Sequence, residues 1–214
     1  MSAASRDIID LLAGIEPGSS LDVIRARRLQ ARENAQKSYL ALFEPADFGD
    51  VAVADRYAVA VFVAGVHEEP TVVAFYLAKI ANRPELVEAL KAEIEQGKTR
   101  GPYGAFPSGP LSSEDSTGLI HRVADDRRPA LGAKLAAALE HAHLLVFRPR
   151  DAAPQAMQAL LDAGWSTNAI VTLSQLVAFL SFQVRSVAGL RTLGASLEHH
   201  AAASAKTSQG ARAS

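Results

Sequence analysis

The sequence predicts an all-α protein, on three observations. Almost every apolar stretch is longer than a strand and carries helical spacing. Several such stretches begin at a proline and stop at a glycine, the asymmetry that helix ends favour. No segment joins β-branched alternation to a hairpin turn signal.

The elements follow in order. Residues 7–13 form a short helix stopped by Gly14 and then by Pro17-Gly18. Ser19-Ser20-Leu21-Asp22 reads as a capping box that opens a long helix to about Phe43. Glu33 and Lys37 make an i,i+4 pair on its surface. Pro45-Ala-Asp-Phe-Gly49 breaks the chain. Residues 51–66 are so rich in Ala and Val that propensity is ambiguous, and their length favours a helix. Pro70 opens a helix to about Ala81, and Pro84 opens another that ends near Gly97.

Between 97 and 118 the composition turns to Gly, Pro and Ser, which predicts a surface excursion or a lid. Helices resume at 129–147, 154–163 and 166–188. From Ala195 the chain is Ala, Ser, Lys and Gln, and a frayed or disordered tail is expected. The organisation is therefore a helical extension over 1–50, a main helical domain over 51–194, and a tail over 195–214. The expected core includes Val59, Phe62, Val63, Leu77, Leu139, Leu176, Phe179 and Leu180.

Composition excludes several functions. Twenty-two basic residues stand against 23 acidic ones, a net charge of −1, which argues against holding nucleic acid by charge. The chain has no cysteine, so disulfides, thiolate metal sites, iron–sulfur clusters and thiol redox chemistry are excluded. The N-terminal seven residues lack an apolar run and do not read as a signal peptide. The longest uncharged apolar stretch, 170–184, includes Thr172, Ser174, Gln175, Ser181 and Gln183 and falls short of the ~20 residues that span a bilayer. A cytoplasmic protein without membrane contact is expected.

Asp55 and Arg56 interrupt the apolar run 51–66, as either an exposed edge or a buried, partnered pair. His67, just before Glu68-Glu69-Pro70, is either a proton shuttle or a turn cap. Ser174, Ala178, Ser181 and Arg185 form a small, polar stripe that either lets helices approach closely or lines a cavity ending at Arg185. Arg25, Arg28 and Arg32 share one helix face, which reads as solvated or interfacial rather than nucleic-acid binding. His141 and His143, two apart, point to different sides and cannot clamp one metal. No metal motif, P-loop or nucleophile elbow is present, so no cofactor is expected.

Asp55-Arg56 leading an Ala/Val helix, a turn, and a second helix from Pro70 resembles the core helix pair of the carboxymuconolactone decarboxylase and alkylhydroperoxidase-D-like superfamily. Ala163-Gly164-Trp-Ser-Thr-Asn-Ala-Ile170, Ala178-Phe-Leu-Ser-Phe-Gln-Val-Arg185 and Gly189-Leu190 are similar to the ending of its peroxidase-related branch. The resemblance covers roughly 40–193 and implies an alkylhydroperoxidase-D-like helical domain. Redox-active members carry Cys-x-x-Cys-x-x-x-His about a dozen residues after an acidic residue. Counted from Asp55, those positions hold His67, Pro70 and Ala74, and Ser181 and Val184 stand where the branch tends to have Asn.

The chain is thus expected to be a non-redox, homo-oligomeric protein that binds a small organic ligand or supports a redox-active relative. The alternative is a cofactor-free lyase or isomerase that moves a proton on a small organic acid. It would use Asp55 or His67 as acid/base, with Arg56, Ser181 and Arg185 on the ligand. A DNA-binding regulator acting through the Arg25–Arg32 face is a third reading. Homo-oligomerisation is expected because helices such as 51–66 are apolar nearly all round.

Overall fold

The computed structural model describes residues 6–210, with side chains as far as His199. Expectations for residues 1–5 and 211–214 lie outside the described residues. Among the described residues the chain is helical and has no strand, only an isolated bridge between Gly104 and Ser116. The helices are α1 (Ile8–Ala13), α2 (Ser20–Ala26), α3 (Leu29–Phe43), α4 (Val53–Val66), α5 (Pro70–Leu77), α6 (Pro84–Gly97), α7 (Arg128–Phe147), α8 (Pro154–Asp162) and α9 (Thr167–Gly210). They fall into two compact units, Met1–Tyr39 with Arg185–Ser214, and Leu40–Val184.

In the first unit the expected long helix is divided at Arg27 and Arg28. There i→i−3 bonds, Arg27 N–H to Ile24 O (3.2 Å) and Arg28 N–H to Arg25 O (3.0 Å), tighten the chain. The bend brings both Arg25 and Arg32 to the buried Asp10. Arg25 lies 2.6 Å from that carboxylate and 2.8 Å from Asp7. Arg32 pairs with Asp10 and, at 2.9 Å, with Asp22. Burial raises the Asp10 pKa, and the guanidinium of Arg25 pulls it back. Two arginines of the basic face therefore serve the unit's own acids. The tail differs from expectation too. α9 continues through Ala195 to Gly210, because Ala, Leu, Glu, Lys and Gln are good helix formers and no Gly or Pro stands between 195 and 209.

The second unit is built around α4, which packs on α5, α6 and α7, while α7 also packs on α8. Every residue of α4 from Ala58 to Val66 is buried. The run is a helix, as its length favoured. Its burial removes α4 as a reason for subunit association, since its own chain covers it. Gly65 sets the α4–α6 distance: a Cβ there would stand 2.5 Å from Ile94 Cδ1. A methyl group at that crossing would overpack the interface at about 1–3 kcal/mol. Val59, Phe62, Val63, Leu139, Leu176, Phe179 and Leu180 are buried as expected, and Leu77 is half-buried.

α6 buries Leu86, Ala89, Leu90, Glu93, Ile94 and Gly97 along one stripe. After it the chain makes an excursion over residues 98–127, longer than the 97–118 expected, with one 3-10 turn at Pro110–Glu114. The excursion is held by backbone and side-chain contacts. Tyr103 N–H donates to Phe147 O (2.8 Å) and its hydroxyl to Leu119 O (2.6 Å), while Arg150 lies 3.9 Å over the Phe106 ring. By length and composition, α7 and residues Thr167–His199 are apolar enough to cross a membrane. In α7 that apolarity is used inside the chain, where Leu131, Leu135, Leu139 and Leu144 are buried.

Candidate functional site

The end of α4, the turn that follows it, and α5 and α6 enclose a groove of about 520 Å³ within the second unit. The turn is sharp because Glu68 adopts φ 57°, a left-handed conformation unusual outside glycine, and Pro70 then opens α5. Val73, Ala74, Leu77 and Ile94 give the groove an apolar floor. Its lips carry Glu68, Glu69 and Glu95 against Lys91 and Lys98. Lys91 is paired with Glu88 at 2.8 Å and Lys98 with Glu95 at 2.5 Å. Three carboxylates against two ammonium groups leave the lips with a net charge of −1.

His67 is the C-cap of α4, beside this groove. Its Nδ1 lies 2.8 Å from Val63 O, and because a carbonyl only accepts, Nδ1 carries the proton. Its ring faces Phe147 at 6.4 Å. Asp55 stands in the first turn of α4, at the other end. Twelve residues at helical rise put the two about 18 Å apart, so they do not meet one ligand together. Burial raises the Asp55 pKa, opposed by the nearby cations Lys134 and Arg83. Its place at a helix N-terminus also favours its charge.

Arg56 is buried and faces away from the groove. Nε donates to Val51 O (3.1 Å), Nη1 to Leu42 O (2.5 Å) and Nη2 to Phe48 O (2.7 Å), with Phe48 stacked under the guanidinium at 5.2 Å. It pins the loop between α3 and α4 and is not placed to clamp a carboxylate. Ser181 is half-buried and Arg185 is exposed on α9, with no ion pair to Arg185 among the described residues. Ser174, on the same stripe, returns its hydroxyl to Ile170 O at 2.9 Å.

A second constellation lies under the excursion. Glu93 is fully buried and accepts from Arg127 Nε (2.5 Å) and Ala124 N–H (3.3 Å), and its other oxygen is 3.1 Å from His121 Nε2. The His121 ring lies 5.1 Å from that of His143, which lies 4.8 Å from Phe147. Burial depresses the pKa of both histidines, that of His143 to about 4. Of this cluster only His143 is weighed in the sequence analysis, as a metal ligand beside His141, and neither Glu93 nor His121 is singled out. The cluster's signal was a glutamate on the apolar stripe Leu86-Leu90-Glu93-Ile94-Gly97 of an otherwise amphipathic helix. No group of three or more His, Asp or Glu residues among the described residues is arranged to hold a metal ion.

The chain matches no family model, no curated protein and no solved structure. Its chemistry is therefore read from these two places alone. The groove is open to solvent and apolar, while the Glu93 cluster is closed and polar.

Proposed function

We propose that this chain is a non-redox small-ligand-binding protein of the carboxymuconolactone decarboxylase and alkylhydroperoxidase-D-like type, seating a compact, mainly apolar organic molecule in the α4–α6 groove. The groove itself carries this reading. Its volume lies in the range of small-molecule pockets, roughly 300–1,000 Å³. Its lips, with three carboxylates against two ammonium groups, are net acidic and do not attract a polyanion such as a nucleotide. The resemblance adds support, because Pro70 and Ala74, the positions matched to a redox cysteine and its histidine, line this same groove. The proton-transfer alternative is less well supported, because Arg56 is occupied by three carbonyls and Asp55 and His67 stand at opposite ends of α4.

The test is a titration with N-phenyl-1-naphthylamine, a neutral probe that fluoresces in apolar sites. Wild-type protein should bind it saturably. Ala74→Trp, which fills the groove from an exposed position, should weaken binding about tenfold or more while leaving the melting temperature nearly unchanged. No saturable binding by wild type, or unchanged binding by Ala74→Trp, overturns the assignment.

A cytoplasmic homo-oligomer belongs to the same proposal. Val171, Ala178 and Phe182 fall on one exposed face of α9, an apolar stripe that a second copy would cover. Light scattering should give a mass above that of the 22.6 kDa chain, and a monomer at micromolar concentration overturns it.

A further inference from the structure

We propose that the buried cluster of Glu93, His121 and His143 is an acid-operated release for the groove, loosening α6 and the 98–127 excursion when His143 is protonated. This rests on the groove being the ligand seat. His143 Nε2 lies 3.0 Å from Gly97 O, so Nε2 carries the proton of the neutral ring and Nδ1 is bare. Nδ1 is buried and has no hydrogen-bond partner. A second proton would therefore arrive where no acceptor waits, beside the His121 ring.

The surrounding charges sharpen the effect. His121 faces Glu93 on α6, Glu140 on α7, and Arg122 and Arg127 from the excursion, with the Phe62 ring of α4 at 5.4 Å. His143 faces the Gly97 carbonyl of α6, His121, and Arg148 at the end of α7. Glu93 is already neutralised by Arg127, so acidification gathers cations that one buried carboxylate cannot balance.

The cluster adjoins the groove along α6 and reaches the turn after α4 through Phe147. Ile94, on the floor, lies between Glu93 and Gly97 on α6, the two residues that hold the histidines. Phe147 contacts the His143 ring on one side and the His67 ring, at the groove's turn, on the other. A depressed histidine binds its proton more readily when the cluster is open than when it is closed. The closed form is thus fully favoured above the ordinary histidine value of 6.5 and loses ground as pH falls from there toward about 4.

Hydrogen exchange on the full chain at pH 7.5, 6.0 and 5.0, corrected for intrinsic rates, tests the release without any variant. Residues 98–127 and the C-terminal half of α6 should lose protection as pH falls, while the helical circular dichroism signal persists. Affinity for N-phenyl-1-naphthylamine should fall about tenfold between pH 7.5 and 5.0. His143→Gln, whose amide can still donate to Gly97 O, should flatten both responses, and His121→Gln should shift them. Protection in wild type that does not change with pH overturns the release, as do responses unmoved in both variants. Exchange that opens without loss of affinity overturns the link to the groove. Absence of any probe binding at pH 7.5 instead overturns the ligand seat itself, and the exchange data still decide the acid opening.

Discussion

Glu93→Ala is expected to destabilise the protein by about 3–5 kcal/mol, because it removes one member of a buried charge set and leaves the others in place. The carboxylate is fully buried, receives Arg127 Nε and Ala124 N–H, and stands against His121. Without it the His121 ring keeps its burial and loses the carboxylate 3.1 Å from its Nε2. The guanidinium of Arg127 must turn to solvent or to Asp126, which lies 3.7 Å from it. Glu93→Gln keeps the volume and an acceptor for Ala124 N–H, so its loss should be smaller, about 1–2 kcal/mol. Urea unfolding at pH 7.5 measures both. Equal losses, or less than about 1 kcal/mol for Glu93→Ala, would show that the excursion is held by its Tyr103 and Arg150 contacts instead.

These consequences were only partly visible in the sequence. The all-helical class was legible because prolines at first-turn positions and glycines past the ends punctuate long apolar stretches, and those signals are local. The break at Arg27–Arg28 was not, since it follows from two arginines reaching Asp10 from one bend, a contact between residues far apart in the chain. The continuation of α9 to Gly210 was masked by low hydrophobicity, although its residue types favour helix even without a core to cover. None of Asp55, Arg56, His67, Ser181 and Arg185 lines the groove, and Pro70 and Ala74, which do, entered the sequence analysis only as positions where the motif of the resembled family is missing. The groove depends on how closely α4 and α6 cross at Gly65, and no one-dimensional pattern reports that distance.

The charged residues show the same limit in another form. Asp55 read as a charge interrupting an apolar helix, either at an exposed edge or buried with a partner. The helix in fact starts at Val53, so Asp55 sits in its first turn, where a carboxylate suits the helix dipole. A two-residue shift of boundary changed the inference from a functional pair to a cap-region charge. Glu93 is the reverse case. In the sequence analysis it is not singled out among Glu85, Glu88 and Glu95, yet its helical phase places it with the leucines. Phase is the more informative of the two signals, because burial follows it directly.

Arg56→Ala is expected to cost about 3 kcal/mol, and Arg56→Lys most of that. Three guanidinium donors hold three carbonyls that belong to different turns of the chain: Leu42 at the end of α3, Phe48 in the loop, and Val51 just before α4. The cation at Leu42 also meets the negative end of the α3 dipole. Burial lowers the Arg56 pKa, but an arginine of this kind stays protonated at any working pH. Lysine has one ammonium on a flexible stem and cannot reproduce a planar fork aimed at three acceptors. Removing the fork frees residues 44–52 and leaves the three carbonyls to find water. Because the loop is partly exposed, part of that loss is recovered by hydration, which keeps the expected figure near the lower end of the range for breaking a buried charge. For a chain of this length the melting temperature should fall by roughly 6–12 °C. Probe binding in the groove should survive in Arg56→Lys at temperatures where the variant is folded, since Arg56 does not line it. A melting temperature within about 2 °C of wild type for Arg56→Ala would mean that Phe48 and Val51 hold the loop without the guanidinium.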